Sequence, residues 1–274
     1  MTSAVSKDAV QAFWDEASCG ETAYAIGRDQ AAQFAAQADA RYRLEPYLKG
    51  FARFADGHGK DVLEVGVGMG ADHLEWARSR PRSLTGVDLT GRAVAFTEAR
   101  LAAAGLQSLL DVADAENLPF PDASFDIAYS WGVIHHSPDT PKAFSEMARV
   151  LRPGGVARVM IYHTWSLTGL MLWARFALAR GRPFTSLRGI YDRYLESPGT
   201  KAYTVAEAKA LCTQAGFRTS SVHIQLNHGD LLEGTVGQRH PGAALELARM
   251  VWPRALLRRF ARGLGLYLLI EAQR

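Results

Sequence analysis

The stretch Val62-Leu63-Glu64-Val65-Gly66-Val67-Gly68-Met69-Gly70 decides the fold, because an apolar run gives way to closely spaced glycines directly before a helix-forming segment. The three glycines remove Cβ atoms where the backbone must turn sharply, and they let a bound molecule approach the main chain. The pattern also matches the dinucleotide motif G-x-G-x-x-G/A, with Ala71 at its last position. The stretch therefore predicts a nucleotide-like ligand without deciding its class.

The composition is that of an ordinary globular chain, with 48% hydrophobic and 22% charged residues among 274. This length suits one large domain, so residues 1–274 are predicted to form a single domain. The net charge of +3 is small, and no nucleic-acid partner is expected.

The cysteines and the apolar runs indicate the compartment. Cys19 and Cys212 are the two cysteines, which fits a reducing environment and offers neither a disulfide framework nor a zinc spacing. The first residues lack the features of a signal peptide, and no apolar run reaches the length of a membrane span. A cytoplasmic protein is expected.

Strand-like runs alternate with amphipathic helices through the middle of the chain. Strands are predicted over 61–66, 83–88, 108–112, 125–130, 156–162, 219–226 and 266–272. Helices are predicted over 71–80, 92–104 and 142–151, and Thr204 and Glu207 form a capping box at the start of a later one. The alternation predicts an α/β fold, namely a doubly wound, mostly parallel seven-stranded sheet with an antiparallel last strand.

The sequence predicts four segments with different roles within the single domain. Residues 1–55 are predicted to form an N-terminal helical lid, and residues 56–162 the cofactor-binding core. The segments 163–203 and 228–263 exceed what a minimal alternating fold needs, and each follows a strand directly. Because ligands bind at the carboxyl ends of parallel strands, both insertions are predicted to cover the substrate side of the cleft, with a surface decoration or an oligomer contact as the alternative.

Acidic and imidazole side chains follow the predicted strands. Asp88 and Leu89 end the second strand, where a carboxylate can accept hydrogen bonds from ribose hydroxyls. Asp114 and Ala115 follow the third strand, where an acid can accept from an adenine amino group. The fourth strand leads into a loop that contains His135-His136.

Taken together, these motifs resemble those of class I S-adenosylmethionine-dependent methyltransferases, in the group that methylates quinones and other small molecules. The motifs that carry the resemblance across residues 61–163 are E-x-G-x-G-x-G, the acid Asp88, the pair Asp114-Ala115, L-P-F-x-D-x-S-F-D, I-H-H-S-P-D and L-R-P-G-G. The resemblance implies S-adenosylmethionine as cofactor and S-adenosylhomocysteine as product, with no metal required.

The resemblance also implies roles for individual residues. Gly66, Gly68 and Gly70 would face the methionine portion of the cofactor, and Glu64 would support their turn or meet the cofactor's amino group. The ribose would contact Asp88 beside Leu89, the adenine Asp114 and Ala115, and the sulfonium the neighbourhood of Ser130. Similar enzymes cover the cofactor with an N-terminal helix, so Trp14 and Tyr24 are candidate lid residues, although Trp14 could equally pack as plain core.

Methyl transfer from a sulfonium is an in-line displacement, so the protein mainly positions the two reactants. A base is needed only where the acceptor must lose a proton, as for a phenol, an alcohol or an activated carbon acid. Because an imidazole titrates near working pH, His136, and after it His135, are the candidate catalytic residues. The alternative is that His136 simply hydrogen-bonds the backbone of its loop.

The acceptor is expected to be a small, partly apolar molecule. Candidate substrate-binding residues lie at the end of the fifth strand and in the two insertions, and they are His163, Tyr191, Tyr194, Tyr203 and Asn227. The basic amphipathic segment 245–262 suits peripheral contact with an anionic membrane, with a lid or dimer helix that has a solvated basic face as the alternative. The oligomeric state and the acceptor atom (O, N, C or S) do not follow from the sequence.

Two other functions fit part of the pattern. An NAD-dependent oxidoreductase would explain the glycine turn and Asp88, but not the Asp114 and His136 motifs. A non-catalytic domain that binds S-adenosylmethionine as a sensor or scaffold would explain all of the cofactor motifs.

Overall fold

The computed structural model describes residues 6–16, 21, 27–234 and 243–274. Its centre is a seven-stranded sheet in the order β3-β2-β1-β4-β5-β7-β6. The strands are β1 (Asp61–Val65), β2 (Ser83–Asp88), β3 (Leu109–Val112), β4 (Phe125–Trp131), β5 (Leu151–Tyr162), β6 (Thr219–Gln225) and β7 (Tyr267–Gln273). Strand β7 runs antiparallel to both β5 and β6, and the other pairs are parallel. The predicted mostly parallel sheet with an antiparallel last strand is confirmed.

Helices surround this sheet and precede it. The described helices are α1 (Lys7–Glu16), α2 (Gln30–Leu44), α3 (Leu48–Ala52), α4 (Ala71–Arg78), α5 (Gly91–Ala103), α6 (Thr140–Val150), α7 (Leu167–Phe176), α8 (Leu187–Tyr194), α9 (Val205–Gln214), α10 (Ala243–Val251) and α11 (Arg254–Phe260). Short 3-10 turns occupy Phe54–Gly57, Leu178–Arg180 and Arg262–Leu264. Among the residues in this description, no helix combines the length and the apolar character needed to cross a bilayer.

The sheet has an apolar layer on each face, because successive strand residues point in opposite directions. Leu63 of β1 belongs to a core cluster that also contains residues of α6 and α9. Its neighbour Val62 belongs to a second cluster with Trp76 of α4 and Leu101 of α5. Helices therefore cover both faces, as a doubly wound sheet requires.

Local capping explains where the helices near the site begin. The Asp139 carboxylate accepts a hydrogen bond from the Lys142 N–H, so α6 starts at Thr140, two residues before the predicted boundary. The predicted capping box of Thr204 and Glu207 is present at the start of α9. Strand β5 begins at Leu151, earlier than predicted, because Leu151 pairs with Phe125 before a register shift.

The strand order places the ligand cleft. Strands β1, β2 and β3 proceed towards one edge of the sheet, whereas β4 returns to the other side of β1. The carboxyl ends of β1 and β4 are therefore a topological switch point, where open α/β sheets bind their ligands.

Candidate functional site

A cavity opens at this switch point. It is lined by the residues that follow β1, β2, β3 and β4, and by α1 and α2 from the N-terminal region. Of the predicted cofactor residues it brings together Trp14, Gly66, Gly68, Gly70, Asp88, Leu89, Asp114 and Ala115. Residues far apart in sequence thus converge on one cleft, because parallel strands end at the same edge.

The glycine turn is closely packed at two of its three glycines, where a side chain would collide with neighbouring residues. Gly66 and Gly70 have φ values of +87° and +73°, which favour glycine. A Cβ on Gly66 would lie 2.1 Å from Val133 Cγ2, and one on Gly70 would lie 2.7 Å from Thr97 Oγ1. Gly68, between them, faces open space. The backbone of the turn is therefore accessible to a ligand.

Asp88 joins this turn to the end of β2. One carboxylate oxygen, Oδ2, accepts the Gly68 N–H at 3.0 Å, while Oδ1 accepts the N–H and the hydroxyl of Thr90, each at 3.0 Å. Burial raises the pKa of Asp88 above its usual range, and these hydrogen bonds oppose the rise. The carboxylate lines the cavity while being held in one orientation.

Helix α1 covers the opposite end of the cavity. Lys7 donates to Asp114 Oδ2 at 2.5 Å and lies 2.5 Å from a Glu116 oxygen, and both contacts raise the pKa of Lys7. About two turns further along α1, Trp14 meets the His136 ring edge-on at 5.2 Å between centroids. The α1 residues Lys7 and Trp14 therefore contact both the Asp114 end and the histidine loop.

One buried polar cluster beside the glycine turn was not predicted. Asp72 accepts hydrogen bonds from Arg41 Nε at 2.9 Å, from the Tyr42 hydroxyl at 3.0 Å and from the Tyr129 hydroxyl at 2.8 Å. Burial favours the neutral acid, but the Arg41 charge and the phenol donors hold the pKa of Asp72 below its usual value. Both Arg41 and Asp72 line the cavity, next to Gly70. Asp72 follows the motif directly, whereas Arg41 comes from a distant helix with no local signal.

Two predicted cofactor residues lie outside the cavity lining. The Glu64 carboxylate is 2.9 Å from Nδ1 of His73 beneath the turn, and burial raises the pKa of Glu64 well above its usual range. Ser130 is fully buried within β4, and its hydroxyl has no hydrogen-bond partner among the described residues. Tyr24 lies outside the described residues.

A second cavity lies on the other side of the His135-His136 loop. It is lined by α8, by the segment 199–203 and by α9, and it shares His136 and Pro138 with the first cavity. The side chains of Arg188, Asp192, Arg193, Lys201, Tyr203 and Glu207 are among its walls. His136 thus stands at the junction of the two spaces.

The two histidines of the loop have different surroundings. His136 Nδ1 lies 2.8 Å from the Ser197 hydroxyl and 3.1 Å from that of Thr200, and its Nε2 is 3.3 Å from a Glu196 oxygen. His135 is completely buried and lines neither cavity. Burial, with the neighbouring His136 and Lys201, lowers the pKa of His135 well below its usual value.

Of the predicted substrate residues, Tyr203 lines the second cavity and four others line neither cavity. Tyr191 is fully buried, with its hydroxyl 2.8 Å from Ser166 Oγ. Tyr194 stacks on Phe176, His163 Nδ1 approaches the Gly265 carbonyl, and Asn227 accepts the Asp230 N–H within a tight turn. The polar groups of Tyr191, His163 and Asn227 are used by the fold, which residue type alone does not reveal.

Comparison with known proteins agrees with this geometry. A family model described as a methyltransferase domain matches residues 63–159. A fatty-acid O-methyltransferase from Mycolicibacterium smegmatis is 41% identical over 116 residues, which cover 42% of this chain and 41% of that protein. A phthiotriol/phenolphthiotriol dimycocerosates methyltransferase from Mycobacterium leprae is 41% identical over 99 residues, which cover 35% of this chain and 36% of that protein. The matched segments thus span less than half the length of these curated relatives.

A solved structure shares the fold across most of the chain. The S-adenosylmethionine-dependent methyltransferase from Mesorhizobium loti is 19% identical, with a TM-score of 0.55, and the match covers 83% of this chain and 97% of that one. The resemblance predicted from the ordered motifs is confirmed. Residues 63–159 thus match a methyltransferase domain, and the chain shares its fold with an S-adenosylmethionine-dependent methyltransferase.

Proposed function

We propose that the protein transfers a methyl group from S-adenosylmethionine to an oxygen atom of a small, partly apolar acceptor. The observation that carries this proposal is the junction at His136, where the cavity of the glycine turn and Asp88 meets a second cavity. A methyl donor and an acceptor need two adjacent sites of this kind.

The first cavity suits the whole cofactor. The Asp88 carboxylate would accept a hydrogen bond from the ribose. The Asp114 carboxylate would accept one from the adenine amino group, which would replace Lys7 as the donor. Arg41 and Asp72 present opposite charges beside the glycine turn, where the cofactor's carboxylate and ammonium groups would lie. When bound, the cofactor supplies an electrophilic methyl group on a sulfonium that is already a good leaving group.

The main contribution of the protein would be to align the acceptor with that methyl group. Holding the two reacting atoms in line at about 3 to 3.5 Å can lower a barrier by roughly 7 to 11 kcal/mol. The His135-His136 loop that follows β4 is the element that both cavities share, so it would set this alignment. The glycine turn and Asp88 would fix the donor half.

His136 is the proposed proton acceptor for a hydroxyl substrate. Its Nδ1 is engaged by the hydroxyls of Ser197 and Thr200, which orient the ring. Its Nε2 lies 3.3 Å from Glu196, whose carboxylate would stabilise an imidazolium formed during the reaction. Positive charge on this ring therefore has a partner in place.

The acceptor class is inferred from the second cavity and from the relatives. The charged side chains in its wall include a pair between Arg188 and Glu207, so the mouth is polar. Lys201 donates from its ammonium group to the Ser137 carbonyl at 2.6 Å, and it ties the wall to the histidine loop. The names of the two curated relatives point to fatty-acid and long-chain lipid substrates. A fatty-acyl or polyketide-like hydroxyl or carboxyl group is the proposed acceptor.

Contact with a membrane surface is proposed for the C-terminal helices. Large apolar side chains are exposed there, namely Leu247, Met250, Val251, Leu256 and Phe260. The exposed arginines Arg259 and Arg262 lie beside them. Apolar insertion combined with attraction to anionic headgroups is how amphipathic helices bind bilayers. Such contact would bring the enzyme to a lipid-like acceptor.

Transfer of a labelled methyl group tests the proposal. The protein would be incubated with methyl-labelled S-adenosylmethionine and, separately, a long-chain fatty acid, a long-chain alcohol, a phenol and an amine. We expect label in the oxygen acceptors and S-adenosylhomocysteine in equal amount. Cofactor binding without transfer to any acceptor would favour the non-catalytic alternative, and binding of NAD in place of S-adenosylhomocysteine would favour an oxidoreductase.

A further inference from the structure

Three side chains of types that can bind a metal meet beside the junction of the two cavities, where His136 lines both. One donor atom from each of His135, His136 and Glu196 lies within 4.8 Å of the other two. His135 is fully buried and His136 is 4% exposed, whereas the Glu196 side chain keeps 28% of its surface exposed. The three residues come from the loop after β4 and from the end of the first insertion, so the fold alone brings them together.

The imidazoles carry lone pairs that the fold leaves unused. Within the described part of the chain, neither ring nitrogen of His135 has a hydrogen-bond partner, and neither does Nε2 of His136. Buried polar atoms are normally paired, because an unpaired one costs about 1 to 3 kcal/mol.

The separations suit a small tetrahedral ion. His136 Nε2 and Glu196 Oε2 are 3.3 Å apart without forming a well-aligned hydrogen bond. Two ligands bound at about 2.0 to 2.1 Å to one tetrahedral zinc ion also lie roughly 3.3 Å from each other. The donor atom of the buried His135 lies within 4.8 Å of the donor atoms of His136 and Glu196, and it completes a set of three.

Supporting hydrogen bonds surround these donors. The hydroxyls of Ser197 and Thr200 engage His136 Nδ1, which leaves Nε2 as the nitrogen directed at Glu196. The Tyr162 hydroxyl donates to Glu196 Oε2 at 2.7 Å. Metal-binding histidines and carboxylates are commonly held by outer hydrogen bonds of this type, which fix the tautomer and the ring orientation.

We propose that His135, His136 and Glu196 form a binding site for a divalent transition-metal ion of the zinc class. Two imidazoles and one carboxylate are a ligand set that zinc accepts, with a fourth position left for water or substrate. Because His136 lines both cavities, the site borders the space where the donor and the acceptor would meet.

The ion would change how the acceptor loses its proton. A metal at this place lowers the pKa of an oxygen acid bound to it, and it holds the oxygen in position. His136 Nε2 cannot serve as a metal ligand and as a free base at once, so the two roles are alternatives at one nitrogen. The metal content of the protein decides between them.

Titration with the metal alone tests the site. The full-length protein would be treated with a chelator, dialysed, and titrated with Zn²⁺ by calorimetry and with Co²⁺ by visible absorption. We expect one ion per chain and intense visible bands typical of a tetrahedral cobalt site. Glu196→Gln should weaken Zn²⁺ binding at least about tenfold, since loss of a ligand exceeds loss of an outer hydrogen bond.

Controls separate this site from incidental binding and from misfolding. His223→Gln removes an exposed imidazole on β6 and should leave the titration unchanged. Glu196 is partly exposed, so its Gln variant should keep the unfolding midpoint and the S-adenosylhomocysteine affinity of the parent. Absence of stoichiometric binding, or equal affinity in Glu196→Gln and the parent, would overturn the site. Zinc binding in a protein that transfers no methyl group would overturn the proposed function instead.

Discussion

Replacing Asp88 by alanine should weaken cofactor binding, because its carboxylate lines the cavity. A carboxylate has about four acceptor positions, and three of them are used by the Gly68 N–H and by the N–H and hydroxyl of Thr90. One position is left for a ribose hydroxyl, and a second hydroxyl would have to compete with that of Thr90. The variant therefore loses about one hydrogen bond to a charged group.

Such a hydrogen bond contributes about 1.5 to 3 kcal/mol, so the dissociation constant for S-adenosylhomocysteine should rise by roughly 10- to 150-fold. Calorimetric titration measures this change directly. Asp111→Ala is the matched control, because Asp111 is an exposed acid on the neighbouring strand β3 that does not line the cavity.

The alanine variant also loses the acceptor that holds the Gly68 N–H, so its thermal unfolding must be measured alongside. A lowered midpoint with a folded protein at the assay temperature leaves the binding comparison valid. An unchanged dissociation constant in folded Asp88→Ala would refute the ribose assignment.

Three further outcomes are expected. With a hydroxyl acceptor, His136→Ala should lower the methylation rate by about 10²- to 10⁴-fold, the usual contribution of a positioned base, while S-adenosylhomocysteine affinity stays nearly constant. An unaffected rate with that acceptor would remove His136 from the mechanism. Burial lowers the pKa of His73 from 6.5 to about 3, so the contribution of neutral His73 to stability is present above pH 6.5 and is lost as the pH falls towards 3. The unfolding midpoint of the parent should therefore fall more steeply on acidification than that of His73→Gln. Parallel curves for the two proteins would contradict this. The double variant Arg259→Glu/Arg262→Glu should bind phosphatidylserine vesicles more weakly in a flotation assay, by about 1 kcal/mol for each arginine removed. The control variant Arg218→Glu should bind like the parent. Equal binding of the parent, the double variant and the control would rule out this surface.

The sheet was predictable because its information is local. Each buried strand is a short apolar run, and turn residues separate it from an amphipathic helix, so β1, β2 and β4 are found within a residue or two of their observed bounds. The capping box of Thr204 and Glu207 is local in the same sense, since both side chains and both N–H groups lie within one helical turn.

The cofactor half of the site was predictable from the same pattern. The motifs that follow β1, β2, β3 and β4 line one cleft, because parallel strands end at the same edge of the sheet. The clusters that depend on tertiary packing did not follow. Arg41 reaches Asp72 from a helix that precedes the sheet, and Glu196 reaches His136 from the first insertion. No spacing in the sequence records either pair.

Aromatic residues in the insertions show the same limit. Tyr191 and Tyr203 are equivalent as residue types near a predicted cleft, yet the structure buries the first and places the second in a cavity wall. The difference lies in the Ser166 hydroxyl and in the backbone carbonyl of Thr164, which satisfy the Tyr191 hydroxyl within the core. Burying a phenol hydroxyl that has such hydrogen-bond partners costs little folding free energy.

A crystal structure with S-adenosylhomocysteine tests the central claim most directly. It should show a ribose hydroxyl within hydrogen-bond distance of Asp88, the adenine amino group on Asp114 in place of Lys7, and the sulfur directed towards the junction at His136. S-adenosylhomocysteine bound in the second cavity, or bound with its ribose away from Asp88, would contradict the account.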